Sequence, residues 1–185
     1  MNIEKQQKWD QRYRQQADQD TSACAVLQQY QHLLPSQGRA LDLACGLGGN
    51  ALLLAEKGLD AEAWDISSVG LGQLNKIAEA RQLSIACQLR DVEQQPPEQS
   101  LFDVICVSYF LHRESCQQLV SALKPNGLLF YQTFNVDNKN GPSNPKFVLA
   151  RNELLSLFAD LEVISYLEND RSQLNGQSWL VARRR

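Results

Sequence analysis

Three aspartates, Asp42, Asp65 and Asp91, each stand in or just after a short apolar run, and the first of these runs enters a glycine turn: Ala40-Leu-Asp-Leu-Ala-Cys-Gly-Leu-Gly-Gly49. Gly46, Gly48 and Gly49 let backbone approach a ligand, or take positive φ where a Cβ would clash. The apolar run Ala51-Leu52-Leu53-Leu54-Ala55 reads as a helix whose N-terminus faces the same ligand. Asp65 follows 19 positions after Gly46, after the next strand, and is placed to accept both hydroxyls of a ribose. Asp91 closes a third strand, where a carboxylate can accept the exocyclic amine of an adenine. The set predicts an adenosine-containing ligand.

Gly46-Leu-Gly-Gly-Asn-Ala51 can be fitted to the dinucleotide pattern G-x-G-x-x-A. Asp42 argues against that fit, because a carboxylate just before the turn repels a pyrophosphate. The same carboxylate stabilises an ammonium or sulfonium. At 185 residues the chain also leaves little room for the separate substrate domain of many nicotinamide dehydrogenases. A base, a ribose and a cationic amino-acid end together describe S-adenosylmethionine.

The elements that must position these residues alternate after residue 38. Strands are expected at 40–43, 61–64, 84–89, 102–107 and 128–133, with helices at about 51–57, 68–81 and 115–123 between them. Residues 93–100 form a proline-containing loop, and Lys124-Pro125-Asn126-Gly127 reads as a turn. A long polar loop, 135–146, precedes a short helix at 152–158 and two closing strands, 161–168 and 177–182, joined by a hairpin-like turn at 169–176. Two helices come first, one within 1–20 and one at about 22–33, stopped by Pro35 and Gly38. The expected fold is α/β, with repeated βα units building a doubly wound parallel sheet. Residues 1–37 would form a helical cap, and 38–185 one compact unit.

Composition narrows the function. A net charge of −3 gives no reason to expect nucleic acid as a partner, and Arg183-Arg184-Arg185 reads as a solvated end. No signal peptide is visible, and no apolar run approaches the roughly 18 residues of a membrane span. Five scattered cysteines without a Cys-x-x-Cys pair point to reduced thiols in a cytoplasm, with neither a disulfide framework nor a metal site. Cys45 and Cys106 read as small space-fillers.

Leu41-Asp-Leu-Ala-Cys-Gly-Leu-Gly48, Asp65, Asp91-Val92, Phe102-Asp103-Val104-Ile105 and Leu123-Lys-Pro-Asn-Gly-Leu-Leu129 follow one another in an order that resembles the class I, Rossmann-like S-adenosylmethionine-dependent methyltransferases. In size and in Ala63-Trp64-Asp65 the tellurite-resistance and thiopurine types look nearest. The resemblance implies a mostly parallel seven-stranded sheet with a final antiparallel strand. It implies cofactor contacts from Asp42, Ala44, Cys45, Gly46, Gly48, Asn50, Asp65, Ile66, Asp91, Val92, Val107 and Ser108. Ala44 stands where glycine is usual, with little effect expected. Trp9-Asp10-Gln11-Arg12-Tyr13 is similar to an element that covers the cofactor, which would add Trp9 and Tyr13; the alternative is a helix that only packs an aromatic face.

Methyl transfer from a sulfonium needs no leaving-group acid, and it needs a base only if the acceptor arrives protonated. The acceptor, expected to be a small molecule, should meet residues beyond strands four and five. Tyr109, His112 and Asn135 are the catalytic candidates, with Arg113, Tyr131 and Thr133 nearby. Each has a structural alternative: His112 at a helix start, Arg113 in an ion pair beside Glu114, Tyr131 in the core. Asp42 can tie down its own turn, Asp65 can cap a helix, and Asp91 can bond its own backbone. A monomer is the default. A non-catalytic S-adenosylmethionine-binding protein and a nicotinamide oxidoreductase are the competing readings.

Overall fold

A strand that is apolar throughout must be covered on both faces, and the computed structural model shows how this chain does so. It describes residues 2–15, 21–168 and 176–185. In chain order the elements are α1 (Ile3–Arg14), α2 (Ala25–Tyr30), β1 (Arg39–Leu43), α3 (Gly49–Glu56), β2 (Asp60–Asp65), α4 (Ser68–Ala80), β3 (Ile85–Leu89) and β4 (Phe102–Ser108). There follow α5 (Cys116–Ala122), β5 (Leu123–Phe134), α6 (Glu153–Leu157), β6 (Glu162–Glu168) and β7 (Gln177–Arg183).

The strands form one sheet in the order β3-β2-β1-β4-β5-β7-β6. β7 runs antiparallel to both neighbours, and every other pairing is parallel. This is the expected doubly wound seven-stranded sheet. Val104 and Cys106 of β4 pack with Val26 and Leu27 of α2 and Leu54 of α3. Phe102, Ile105 and Val107 of the same strand pack with Leu119 and Val120 of α5 and Leu154 of α6. Strand order reverses between β1 and β4, which opens a crevice outside their carboxyl ends.

Two expectations change. Residues 124–127 are not a free turn: β5 begins at Leu123, which pairs with Phe102, and the register then shifts before Val104 meets Leu128. The extra residues are held as a bulge because Asn126 N–H donates to the Arg184 carbonyl and Arg184 N–H donates to that of Gly127. The second helix ends at Tyr30 and tightens into a 3-10 turn, Gln31–Leu33, before Pro35. The hairpin turn falls largely on 169–175, outside the described residues, but its strands pair antiparallel as expected.

Candidate cofactor crevice and acceptor mouth

The glycine turn is a run of left-handed residues, with Ala44 at φ 54°, Gly46 at 57° and Gly48 at 76°. Glycine takes this region freely, whereas alanine does so at a cost of roughly 1–2 kcal/mol. Ala44 is therefore a strained departure, not the neutral one its small size suggested. Gly48 N–H closes the turn on the Cys45 carbonyl at 2.8 Å and starts α3.

Both buried aspartates knit this turn. Asp65 Oδ2 accepts from Gly46 N–H at 2.9 Å and Oδ1 from Ser67 N–H at 2.7 Å. Ser67 itself caps α4, its hydroxyl accepting from Gly70 N–H at 3.1 Å, so Asp65 does not serve as that cap. With the Ile66 N–H also bonded to the carboxylate, Asp65 keeps acceptor capacity for a ribose hydroxyl. Asp42 Oδ1 accepts from Asn50 Nδ2 at 3.0 Å and Oδ2 from Ala51 N–H at 3.1 Å. Burial pushes the Asp42 carboxyl up to about 7 and also raises that of Asp65. Among the described residues no ion pair compensates either one.

α1 lies across these strand ends. Asp10, buried in the middle of the helix, accepts from the Ser67 hydroxyl at 2.6 Å and from Val69 N–H at 3.1 Å. Burial alone would raise its carboxyl, but these bonds outweigh it and hold the group below its usual range. Tyr13 stacks on Trp9 with centroids 5.8 Å apart, and its hydroxyl would stand 2.7 Å from a Cβ on Gly46. Asn2 N–H reaches Asp91 at 3.4 Å, and Lys5 pairs with Glu93. α1 thus meets Asp91, the start of α4 and the glycine turn through polar as well as aromatic side chains. Ile66 and Val92 are buried beside it, and Cys45 fills space against α3 and α4 with its thiol raised well above the usual value by burial. Val107 is wholly within the core shared with α5 and α6.

Around Tyr109, at the ends of β4 and β5, the polar side chains in contact are neutral amides and hydroxyls. Tyr109, at φ 56° and half exposed, sets its ring 5.3 Å from that of Phe134. Gln132 Oε1 accepts from Val26 N–H at 2.9 Å, which turns Nε2 towards Gln177 Oε1 at 2.7 Å and the Tyr109 hydroxyl at 3.4 Å. Burial raises the Tyr109 phenol, so it stays protonated. His112 is committed to Ser115 through Nδ1 and to Glu114 through Nε2 at 3.3 Å. Asn135 is wholly buried; its Nδ2 donates to Ser178 at 3.0 Å and its Oδ1 accepts from Asp137 N–H. Arg113 pairs with Glu153, not Glu114, and donates to the carbonyls of Lys146 and Val148. Tyr131 is core, donating to the Phe110 carbonyl at 2.7 Å, and Thr133 is buried. No cluster able to hold a metal occurs among the described residues.

Asp10, Gln132 and Gln177 were not singled out from the sequence. Gln132 carried a signal, an amide inside an otherwise apolar strand. Asp10 stands in the Trp9–Tyr13 element, but its own role shows only once the start of α4 is placed beside it.

The sequence model of the family described as tellurite resistance protein TehB matches residues 1–176. The chain belongs to the TehB family. It is 28% identical over 138 residues to the probable S-adenosyl-L-methionine-dependent methyltransferase TehB of Haemophilus influenzae, covering 71% of this chain and 48% of that protein. It is 32% identical over 107 residues to the putative methyltransferase YqeM of Bacillus subtilis, covering 53% and 43%. The crystal structure of TehB from Haemophilus influenzae shares the fold, with a TM-score of 0.75 at 22% identity over 96% of this chain and 67% of that one. The chain spans about half the length of the curated relatives it matches.

Proposed function

We propose that the chain binds S-adenosylmethionine in the crevice above β1, β2 and β3 and transfers its methyl group to a small-molecule acceptor. The observation that carries this reading is the pair of buried carboxylates, Asp42 and Asp65, at a glycine turn with no paired cation among the described residues. A pyrophosphate is repelled there, and a ligand bearing positive charge relieves both groups. The names of the TehB relatives support the same donor.

The residues fit such a cofactor. Asp65 offers spare acceptor capacity to a ribose and Asp91 a carboxylate to an adenine, while Gly46 leaves the clearance that Tyr13 now faces. Bound there, the cofactor supplies a methyl group activated by a sulfonium. The chain's own residues orient and enclose: α1 excludes water above the crevice, and the Ser108 hydroxyl lies between the two halves. Tyr109 keeps its proton and can donate a hydrogen bond but cannot act as a base. His112 is held by Ser115 and Glu114, and Asn135 by Ser178 of β7 and Asp137 of its own loop. The acceptor side is thus built to position a nucleophile that needs no deprotonation.

A second reading, a protein that binds S-adenosylmethionine without turning it over, is favoured by the same absence of an assignable base among the described residues. Incubation with methyl-labelled S-adenosylmethionine and a panel of thiolate, amine, carboxylate and metalloid oxyanion acceptors separates the two. Label transferred to an acceptor supports methyl transfer, whereas cofactor binding with no transfer to any class supports the second reading. No helix among the described residues is long and apolar enough to cross a membrane. Five unpaired thiols suit a reducing cytoplasm, and a monomer is the simplest state for this reading.

A further inference from the structure

Asn50, in the first turn of α3, is buried and fully engaged. Its Oδ1 accepts from Cys24 N–H at 2.9 Å, and this fixes which way the amide faces. The two Nδ2 protons then point at Asp42 Oδ1 and Ser108 Oγ, each at 3.0 Å. A primary amide has two protons to give, so none remains for a cofactor. Any part Asn50 plays in binding must run through its neighbours.

We propose that Asn50 is a positioning residue that holds the Asp42 carboxylate as an anion towards the amino-acid end of the cofactor, making the crevice select ligands that carry an ammonium group. This rests on the cofactor reading above. Around Asp42 the titratable groups are Asp65 at the end of β2, Tyr13 on α1, Cys45 in the glycine turn and Cys106 on β4. Each is neutral or anionic, and none favours a second negative charge. Burial brings Asp42 to about 7, the Asn50 and Ala51 bonds restrain it, and Asp65 pushes it further up. Ala51 contributes a backbone amide that any helix start there supplies. Asn50 is the one restraining donor that is a side chain, and removing it leaves Asp42 a neutral acid at physiological pH.

The test uses two nucleosides that share adenine, ribose and thioether: S-adenosylhomocysteine, which bears the ammonium, and 5′-methylthioadenosine, which has no amino-acid end. Their affinities are measured by calorimetry from pH 6 to 8.5 for the intact wild-type chain and for Asn50→Leu. Wild-type affinity for S-adenosylhomocysteine should fall as pH drops through about 7, while that for 5′-methylthioadenosine stays level. In Asn50→Leu the midpoint should move up by about one pH unit, weakening S-adenosylhomocysteine about threefold at pH 7.5 and about tenfold at pH 6, with near recovery at pH 8.5. Binding of 5′-methylthioadenosine, which has no ammonium to meet Asp42, should stay within about twofold. Equal weakening of both nucleosides without a shifted pH profile overturns the proposal, because a merely structural role predicts that pattern. Asn50→Ala repeats the test if the leucine variant does not melt cooperatively, and failure of both to fold assigns Asn50 to the fold alone and overturns it too. If the wild-type chain binds neither nucleoside, the cofactor reading falls and this proposal with it.

Discussion

Asp42 and Ala44 sit two residues apart and are each destabilised for a different reason. Asp42 has a folded value of about 7 against an unfolded value of about 3.9, so the folded chain holds that proton more tightly than the unfolded one. The contribution of Asp42 to ligand-free stability is therefore fully present below the unfolded value and is lost as pH rises towards about 7. Asp65, shifted in the same direction, adds to the slope. Thermal melts without ligand should show Tm falling from about pH 5 to about pH 7.5, and Asp42→Asn should flatten that fall; an unchanged slope in the variant contradicts the assignment. Ala44 stores backbone strain at φ 54°. Ala44→Gly should raise stability by up to about 1 kcal/mol, the relieved strain being partly offset by the freer unfolded chain. A lower Tm for that variant would mean the turn gains more from the alanine than its backbone loses.

Two elements owe their placement to single polar side chains. Asp10 fastens α1 to the start of α4, supplying acceptors for a hydroxyl and a backbone amide that would otherwise lack partners on that side. Asp10→Ala should cost about 1–2 kcal/mol and should speed limited proteolysis within Ile3–Arg14 while the sheet stays protected. Equal proteolysis of both chains would show that the aromatic contacts suffice. Arg113 fastens the 135–148 loop to α6 through Glu153 and two carbonyls. The bond from Arg113 chiefly holds the Glu153 carboxyl below its usual range, so the stability this pair adds is present above the unfolded value and lost as pH falls through the folded one. Arg113→Ala should destabilise by about 1–2 kcal/mol, trimmed by solvent at this half-buried pair, and should raise hydrogen exchange across residues 146–153. An unaltered exchange pattern would place the loop's anchor elsewhere.

Which elements could be read from the sequence follows from the range of the forces that set them. β1 and β4 were legible because their apolar runs, the glycine turn after β1 and the paired prolines before β4 are local signals, and the order of Asp42, Asp65 and Asp91 marked the crevice. The segment 124–127 misled because Lys-Pro-Asn-Gly is a turn signal locally, whereas its bulge depends on Arg184, far along the chain. Asp10 bonds a serine 57 residues away, and Gln132 an amide 106 residues away. No short window carries that information. The acceptor mouth was the least legible part, since it is assembled from such long-range amide contacts around Tyr109.

At the scale of the whole molecule the sheet divides at the β1–β4 boundary. One half gathers the aspartates and glycines under α1, and the other presents Ser108, Tyr109, Gln132 and Gln177 beside the 135–148 loop. That division accounts for a sequence that advertises a donor and says little of an acceptor. The chain belongs to the TehB family yet spans about half the length of its curated relatives. Cofactor binding therefore has to be measured on this chain itself. Calorimetry of the folded chain with S-adenosylhomocysteine, in competition with NADH, is the most direct measurement. S-adenosylhomocysteine should bind with a dissociation constant of about micromolar order, and NADH should not displace it. Absence of binding at millimolar S-adenosylhomocysteine, or displacement by NADH, would contradict the cofactor reading.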